Sequence, residues 1–431
     1  MSSREVRLKP DATGMSRAAG TGSSVVVDRC QVCDNPDLQS ALFIGYLPPV
    51  NQMRPVGQRP NEQPAYPAEF LYCPRCELVQ IGLIVDPAVL FPPEYPYTSG
   101  TTKILRDNFA ELYTDCRRVI PLTPTDLIVD IGSNDGTLLS NFKNGGHRVR
   151  GIEPTLMANL ANERGIPTTM SFFGPDAAAR ARAEDGPATI VTATNVFAHI
   201  ERVHEIVDSI LTMVKPDGLF ISESHYLMSL LETVQYDTIY HEHLRYYSLH
   251  SLKFLLERHG LEVIHAKRIP THGGSIRVYS ARTGARPVQP SVAAMLAEER
   301  SAGAWPDRLA HFKREVVQSK LGLHALLKDL KQKGARIYGI GAPSRASTLI
   351  NYVGLDDGIV ECVLEVKDSY KVGKYMPGTL IPVLDEARLF DDQPEYALLL
   401  SWHIAEELAP KLTAKGFKGR FIVPLPTPRI L

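Results

Sequence analysis

The middle of the chain alternates between short apolar runs and longer amphipathic segments. Runs of strand length occur at Leu127–Ile131, Arg148–Ile152, Ala188–Ala193 and Gly218–Ser222. Patterns of helical period lie between them at Thr137–Phe142, Leu156–Glu163 and Val203–Val214. Strands separated by helices in this way predict a parallel sheet with helices on both faces.

A second segment of the same kind begins at Ala335, with a predicted strand at Arg336–Gly339 and a predicted helix at Ser344–Tyr352. Between the two segments, Asp307–Gln332 contains no proline and a single glycine, Gly322. This composition predicts one long helix, or two helices broken near Gly322, that link two α/β domains.

Bulk properties exclude some classes of protein. The 431 residues are too many for one core, and the formal net charge of −1 argues against a nucleic-acid binder, which is usually basic. No apolar run approaches the roughly 20 residues of a membrane helix, and residues 1–26 contain no apolar block of a signal peptide. We therefore expect a disordered tail over 1–26 and a cytoplasmic protein without a membrane partner, monomeric because no apolar heptad seam is visible.

Two CxxC pairs stand near the N-terminus. Cys30 and Cys33 form the first pair, and Cys73 and Cys76 form the second, within a proline-rich segment. Four thiolates complete a closed tetrahedral shell, which is typical of structural rather than catalytic zinc. A redox pair or free thiols are the alternatives, but a thioredoxin-like strand does not precede either motif.

A glycine-containing turn, Gly132-Ser133-Asn134-Asp135-Gly136, follows the first strand of the sheet, and Glu153-Pro154 ends the next strand. An acidic residue there can accept hydrogen bonds from a ribose. The dinucleotide pattern GxGxxG is absent, so a cofactor without phosphate fits better, which favours S-adenosylmethionine (SAM). Asp135 or Asp130 can then face the methionine ammonium, and Asn134 its carboxylate. The alternative is a purely structural turn.

Several motifs together resemble the sugar C-methyltransferases of deoxysugar biosynthesis. The motifs are the paired CxxC sequences, IGSNDG at 131–136, GIEP at 151–154, YHEHLRYYS at 240–248 and GIGAPSRASTLIN at 339–351. The resemblance covers nearly the whole chain, and YHEHLRYYS is its most specific part. It implies an α/β protein in which a Rossmann-like methyltransferase domain lies between a small zinc-binding N-terminal domain and a C-terminal Rossmann-like α/β domain.

The resemblance also implies site residues. His243 corresponds to the general base, and Tyr240, Glu242 and His199 to its assistants. A YxYxSG element at 95–100 corresponds to a loop that lines the same cavity; we favour Tyr97 as its functional tyrosine and place Tyr95 with the substrate. The expected cofactor-binding set is Gly132, Asn134, Asp135, Gly136, Glu153, Pro154 and Asn195. We also expect His241 to bind substrate, while His272 is either a structural loop histidine or a further substrate contact.

The glycine-rich turn at Gly339–Gly341 opens a helix, and backbone N–H groups at a helix N-terminus bind phosphate. Ser344 and Arg345 can add a hydroxyl and a guanidinium fork, so we interpret this turn as the anchor for the diphosphate of a nucleotide sugar. Thymidine diphosphate is the leading carrier by resemblance alone.

These observations predict a SAM-dependent C-methyltransferase that acts on a nucleotide-linked 4-keto-deoxysugar, as in antibiotic biosynthesis. The expected parts are a zinc-binding domain at 27–95, a methyltransferase domain at 96–285, a helical linker at 286–333 and a C-terminal domain at 334–431. Alternatives are methylation of an oxygen or nitrogen, a zinc-ribbon nucleic-acid-binding protein, and a non-catalytic protein that binds sugar nucleotides.

Overall fold

The computed structural model describes residues 24–91, 100 and 102–431. Its N-terminal part contains short strands and one helical turn. These elements are β1 (Val25–Val26), β2 (Gln39–Leu47), β3 (Tyr66–Tyr72), β4 (Val79–Ile81), β5 (Leu83–Ile84) and α1 (Pro87–Leu90).

The central part contains alternating strands and helices, as the hydrophobic pattern predicts. Its elements are α2 (Lys103–Val119), β6 (Leu127–Ile131), α3 (Thr137–Asn144), β7 (Arg148–Glu153), α4 (Met157–Glu163), β8 (Thr168–Met170), α5 (Pro175–Asp185), β9 (Ala188–Thr194), α6 (Val203–Met213), β10 (Val214–His225), α7 (Leu227–Glu232), β11 (Arg245–Tyr246), α8 (Leu249–Glu257), β12 (Leu261–Ile269) and β13 (Ser275–Arg282).

Two helices connect the central part to a second α/β unit. The remaining elements are α9 (Pro290–Ser301), α10 (Trp305–Gln332), β14 (Ile337–Ile340), α11 (Ser344–Val353), β15 (Cys362–Glu365), β16 (Val383–Asp385), α12 (Ala387–Asp392), β17 (Tyr396–Leu399), α13 (Ala405–Ala414), β18 (Arg420–Val423) and β19 (Arg429–Ile430). Within the described ranges, none of the helices combines the length and apolar character needed to cross a membrane.

The largest sheet has seven strands in the order β12-β13-β10-β9-β6-β7-β8. Strands β10, β9, β6, β7 and β8 are parallel, and their burial on both faces explains their apolar sequences. Strands β13 and β12 are antiparallel to their neighbours, so the prediction of a purely parallel sheet is wrong at this edge. The reason is the short connection between β12 and β13, which only an antiparallel pair allows.

The second α/β unit is a six-stranded sheet in the order β16-β15-β14-β17-β18-β19. Its strands are parallel except for the last, β19. The Gly339–Gly341 turn lies between β14 and α11, which is the position that the sequence predicts. The arrangement is Rossmann-like, as expected.

Helix α10 runs unbroken through Gly322, and it is not a simple linker between domains. It buries a stripe of side chains that includes Trp305, Phe312 and Leu323, and the Phe312 ring lies 6.2 Å from Phe70 on β3. The helix therefore packs on the N-terminal part, the central part and α11. The prediction of a linker over 286–333 is corrected to a shared core helix.

Residues 1–23 of the expected disordered tail lie outside the described residues. Its end is ordered: Val25–Val26 pairs antiparallel with Leu83–Ile84, and Val27 is buried. The expected tail boundary at residue 26 is therefore too late, because the three valines supply the apolar side chains that a strand needs.

Candidate active site

The four cysteine thiols meet in one buried cluster. Cys30 Sγ lies 3.4 Å from Cys76 Sγ, Cys33 Sγ lies 3.4 Å from Cys73 Sγ, and all four sulfurs lie within 4.8 Å of one another. Thiolates bound to zinc at about 2.3 Å in tetrahedral geometry would be about 3.8 Å apart, so the donor set fits a closed zinc site.

The two cysteine turns have the same backbone geometry. Asp34 follows the first pair with φ 59° and Glu77 follows the second with φ 58°. The Asp34 amide donates to the Cys30 carbonyl at 3.0 Å, and the Glu77 amide donates to the Cys73 carbonyl at 2.9 Å. Each turn thus presents two sulfurs to one point.

The sheet that carries the cysteines takes its last strand from the YHEH segment. Its order is β11-β4-β3-β2, with Arg245 opposite Gln80 and Tyr246 opposite Val79. The Ile81 amide also donates to the Leu244 carbonyl at 3.0 Å. The cysteine cluster therefore stabilises the sheet that positions residues 240–244.

Arg245 reinforces this connection from a fully buried position. Its Nη1 donates to Gln31 Oε1, between the first two cysteines, at 2.6 Å, and its Nε donates to the Tyr247 hydroxyl at 2.9 Å. The guanidinium also donates to the carbonyls of Ile200 and Glu201, which directly follow His199. The Arg245 side chain thus connects the first cysteine turn, the segment after His199 and the segment that contains His243.

Glycine is required at both ends of the turn after β6. Gly132 has φ +66°, and a Cβ there would lie 2.4 Å from Val196 Cγ2. Gly136 has φ +76° and precedes α3, and a Cβ there would lie 2.9 Å from Ile166. Side chains other than glycine are disfavoured at such positive φ values, so the turn keeps its backbone open toward the carboxyl end of the sheet.

Glu153 holds this turn from the end of β7. Its Oε2 accepts from the Asn134 amide at 2.9 Å, and its Oε1 accepts from the Thr155 amide at 3.0 Å and the Thr155 hydroxyl at 2.6 Å. A carboxylate offers about four acceptor positions, so room is left for a ribose hydroxyl. Pro154 follows at the same edge, partly buried.

Asp135 is bonded within the protein. Its buried carboxylate accepts from Arg164 at 2.8 Å, from the Thr137 hydroxyl at 2.7 Å and from the Gly100 amide at 3.1 Å. Asp135 therefore holds the turn before α3, and its role toward the methionine ammonium stays a prediction. Asp130 is equally engaged by the Thr192 hydroxyl, and burial raises the pKa of Asp130 to about 8.

Unsatisfied polar atoms and exposed apolar side chains mark the cleft beside this turn. Ser133 Oγ, Asn195 Oδ1 and Ser171 Oγ are buried without a hydrogen-bond partner among the described residues. Buried polar groups are almost always bonded, so such atoms indicate a ligand position. Met170 ends β8 and Phe172 lies just after it; they are 46% and 60% exposed, which offers apolar surface to a purine ring.

Four histidines and a tyrosine form a cluster at the same end of the sheet, in which His243 and Tyr240 are buried and His199, His225 and His272 are partly buried. The His243 ring lies 4.9 Å from His199, 4.7 Å from His225 and 4.1 Å from Tyr240, measured between centroids. His272 lies 5.7 Å from His225. The structure thus brings together His199, Tyr240 and His243, which the sequence predicts as functional.

His243 is held in one tautomer. Its Nδ1 lies 2.6 Å from the carbonyl oxygen of Thr238, which only accepts, so Nδ1 carries the proton and Nε2 carries a lone pair. Burial lowers the pKa of His243 to about 4, against the raising effect of the Thr238 carbonyl. The imidazole is therefore neutral at pH 7 and suited to accept a proton at Nε2.

The other imidazoles of the cluster are neutral as well. Burial, together with the neighbouring His243, lowers the pKa of both His199 and His225 well below the usual value. His225 is absent from the sequence prediction because the predicted strand stopped at Ser222, whereas β10 continues to His225. Its position at the carboxyl end of a central strand was the signal that could have revealed it.

Glu242 connects all three parts of the chain. Its Oε1 accepts from Asn51 Nδ2 at 2.8 Å, and Asn51 Oδ1 accepts from the Ser344 hydroxyl at 3.4 Å. Tyr240, two residues before Glu242, is fully packed, and burial raises its pKa well above the usual value, so its hydroxyl is a donor at neutral pH. The predicted residues Tyr240, Glu242 and Ser344 therefore surround one junction.

His241 and His243 point to different partners, since residues 240–244 form a turn rather than a strand or helix. His241 Nε2 lies 3.1 Å from the Pro67 carbonyl of β3, and its ring packs edge-on against Tyr66 at 5.7 Å. The prediction that His241 binds substrate is corrected: this ring anchors the segment to the cysteine-bearing sheet.

Arg345 is bound to the central part of the protein. Its Nε and Nη2 donate to the two carboxylate oxygens of Asp237 at 2.8 Å each, and Nη2 also donates to Gln235 at 2.9 Å. The Trp402 ring lies 5.0 Å from the guanidinium, and its Nε1 donates to Asp237 at 2.7 Å. The prediction of a diphosphate fork at Arg345 is therefore corrected to a clamp between domains.

The turn after β14 shares two features with the turn after β6: a glycine with positive φ, and a carboxylate from the next strand that accepts from an amide of the turn. Gly341 has φ +79°, and a Cβ there would lie 2.6 Å from Ser401 Oγ. Glu365, at the end of β15, accepts from the Ala342 amide at 2.9 Å. Lys371 Nζ donates to the Ala342 carbonyl at 2.6 Å. This contact places an ammonium group beside the turn, whereas the Arg345 guanidinium is bound to Asp237.

Tyr95 and Tyr97 lie outside the described residues. Gly100 ends the same loop and is described; its amide contacts Asp135. The candidate roles of the two tyrosines remain predictions from the sequence.

Family models match three consecutive parts of the chain. A zinc binding domain matches residues 30–91, a methyltransferase domain matches residues 104–266, and a C-methyltransferase C-terminal domain matches residues 270–426. Their order is that of the cysteine-bearing sheet, the seven-stranded sheet and the six-stranded sheet, although the third match begins before β13.

The chain is also similar over its length to one characterised protein. It is 34% identical over 411 residues to the C-methyltransferase NovU of Streptomyces niveus, covering 94% of this chain and 97% of that protein. Among solved structures, the glycopeptide N-methyltransferase MtfA with SAM is 12% identical and covers 40% of this chain and 93% of its own (TM-score 0.32). The CcbJ methyltransferase of Streptomyces caelestis is 11% identical, with 41% and 89% covered (TM-score 0.33).

We predict that loss of the cysteine-bound metal loosens the YHEH segment. In Cys33→Ser, the sheet that pairs with β11 loses its fixed end, so backbone amides over residues 240–247 should exchange faster in deuterium-exchange mass spectrometry. Cys362→Ser, which replaces a buried cysteine outside the cluster, is the matched control and should keep both the zinc content and the exchange pattern. Unchanged exchange over 240–247 in a zinc-free Cys33→Ser protein would contradict this dependence.

Proposed function

Because the chain belongs to the C-methyltransferase family and is a SAM-dependent C-methyltransferase, we propose that its acceptor is the carbon beside the ketone of a nucleotide-linked 4-keto-deoxysugar. The observation that supports this proposal most strongly is the fixed tautomer of His243, a neutral buried imidazole with its Nε2 lone pair free for a proton. Oxygen and nitrogen acceptors already carry a lone pair, whereas carbon becomes a nucleophile only after deprotonation.

SAM, when bound, supplies the electrophilic methyl group. Gly132 and Gly136 keep the turn open to it, Glu153 orients the turn and can accept from its ribose, and Asn195 presents an unsatisfied carbonyl oxygen to the same cleft. Asn134 remains among the proposed cofactor-binding residues, because Glu153 fixes its backbone amide in the turn. The apolar faces of Met170 and Phe172 suit its adenine.

In the proposed reaction, His243 Nε2 removes a proton from the carbon next to the ketone, and the C–H electron pair moves to give an enolate. The enolate carbon would then be the nucleophile for the methyl group that bound SAM supplies. The products are the C-methylated ketone, S-adenosylhomocysteine and one proton, which His243 releases. His199 and Tyr240 pack against the His243 ring and hold it in place during both steps.

The sugar nucleotide would lie at the junction of the three parts. Glu242 and Asn51 can accept and donate to sugar hydroxyls, and Ser344 opens the helix after the second glycine turn. We propose that this turn, with the Lys371 ammonium, holds the diphosphate in place of Arg345. A thymidine diphosphate carrier and a role in deoxysugar and antibiotic biosynthesis complete the proposal, supported by the likeness to NovU.

The test is incubation of the purified protein with SAM and a thymidine diphosphate 4-keto-2,6-dideoxyhexose. We expect a mass gain of one CH2 in the sugar nucleotide, and NMR should show the new methyl on carbon. A methyl group on oxygen or nitrogen would overturn the choice of acceptor atom. A mixture without SAM in heavy water should incorporate deuterium beside the ketone, which isolates the base from methyl transfer.

Replacement of the base should separate catalysis from cofactor binding. We expect His243→Ala to lower turnover and deuterium incorporation by about 10²- to 10⁴-fold, because a positioned base contributes that much. The dissociation constant for SAM should stay within about 3-fold, since His243 lies outside the glycine turn. His265→Ala is the control, because His265 contacts Ser291 away from the cluster. Full deuterium incorporation in His243→Ala would rule out His243 as the base.

The pH dependence follows from the lowered pKa of His243. The base is active when neutral, so activity is lost as pH falls through the pKa of about 4 and is retained above it. The pKa values of His199, His225 and His272 are lowered as well, and the Arg345 guanidinium lies beside His272, where it donates to the His272 carbonyl. We expect kcat/KM to be flat from about pH 5.5 to 7.5. With a histidine base of the usual pKa, about 6.5, kcat/KM would instead fall to half of its maximum near that pH. A midpoint near pH 6.5 would contradict the buried, neutral base.

A further inference from the structure

We propose that His272 donates a hydrogen bond from Nε2–H to the ketone oxygen of the substrate as that oxygen becomes the enolate oxygen. This inference rests on the proposed function, because it assigns the second group that enolate formation needs. A base alone is insufficient: the negative charge that develops on oxygen must meet a fixed donor, and removal of one such donor typically costs about 10²- to 10³-fold in turnover.

The backbone at His272 is left-handed, with φ 56° and ψ 23°. Few residues other than glycine adopt this conformation, although histidine does so more often than most. Such a conformation is unfavourable and persists only where the surrounding structure enforces it, often at functional sites. Its cost needs a benefit, and packing alone would be served equally well by a glycine in this turn.

The loop around His272 is fixed from several directions. The Gly273 carbonyl accepts from Gln235 Nε2 at 2.6 Å, and the Gly274 carbonyl accepts from the Tyr226 amide at 3.2 Å. Arg345 Nη1 donates to the carbonyl of His272 itself at 3.3 Å. The side chain therefore projects from a rigid support toward the histidine cluster, as a donor for a transient charge must.

One ring nitrogen of His272 lacks a hydrogen-bond partner within the described part of the chain. His272 Nε2 is buried and has no hydrogen-bond partner among the described residues, and the hydroxyl of the adjacent Thr271 is in the same condition. The ring lies 5.7 Å from His225, whose ring lies 4.7 Å from His243. An unpartnered polar atom at this depth is explained by a substrate atom that occupies the space during turnover.

The charge state suits a donor rather than a second base. Burial and the neighbouring Arg345 lower the pKa of His272 to about 4, so the ring stays neutral. A neutral imidazole with its proton on Nε2 stabilises an enolate oxygen without protonating it, which leaves the carbon nucleophilic. In this proposal the neutral His272 carries its proton on Nε2, so His243 supplies the lone pair and His272 supplies the N–H that enolate formation needs.

A matched pair of substitutions tests the hydrogen bond. His272→Leu removes the donor, whereas His272→Gln keeps a side-chain amide N–H at about the same distance from the backbone as Nε2. Leucine and glutamine must both adopt the left-handed backbone of this position. With the 4-keto sugar nucleotide, we expect His272→Leu to lower kcat and deuterium incorporation without SAM by about 10²-fold or more. We expect His272→Gln to recover turnover to within about 10-fold of the native protein, and the dissociation constant for SAM to stay unchanged in both.

His272→Gly separates the proposal from a structural role. Glycine adopts this backbone freely, so its melting temperature should match or exceed that of the native protein while its turnover falls as in His272→Leu. Turnover and deuterium incorporation within about 3-fold of native in His272→Gly would overturn the inference, and so would equal losses in the Gln and Leu variants. Native protein that neither methylates nor exchanges the 4-keto sugar would overturn the proposed function and this inference with it.

Discussion

The candidate active site depends on a pairing of two short strands, β4 and β11. Residues 240–247 contain the proposed base and its neighbours, yet only Arg245–Tyr246 of that segment is regular structure. A two-residue strand cannot hold itself in place, so its position comes from the cysteine-bearing sheet on one side and from the buried guanidinium of Arg245 on the other. The cysteine cluster is therefore connected through the backbone to the proposed catalytic residues, although no cysteine lies in the histidine cluster.

A second constraint fixes the α/β units against each other. Arg345 and Asp237 form a bidentate pair across the boundary, with side chains that are 7% and 1% exposed. A buried pair adds little stability over apolar packing, but the loss of one partner leaves an uncompensated charge and costs about 3–5 kcal/mol. Trp402 supplies both a cation–π contact and a hydrogen bond to the same pair, so one docking geometry is strongly preferred. The same guanidinium also donates to the His272 carbonyl at 3.3 Å.

The sequence pattern predicted local structure well and long-range contacts poorly. β6 begins and ends as expected, and the glycine-containing turn at 132–136 follows it as expected, because periodicity and glycine act over a few residues. Arg345 and His241 were assigned to substrate because both are typical ligand-binding residues in suitable motifs. Their partners, Asp237 and Pro67, are more than one hundred residues away in the chain, so no local sequence pattern predicts these contacts. His225 was overlooked for a related reason, since its importance comes only from the rings that the fold brings beside it.

The burial of several imidazoles together has a mechanistic consequence. Four ionised rings within contact distance of one another and near Arg345 would repel strongly at low dielectric constant, so the resting cluster is neutral. The same environment makes a proton on His243 unfavourable until an anion forms beside it. Deprotonation of the substrate creates that anion and the imidazolium in one step, and each charge then stabilises the other. In the proposed mechanism, the cluster thus couples the acceptance of a proton to the formation of a carbanion equivalent, which is the condition that methylation at carbon imposes.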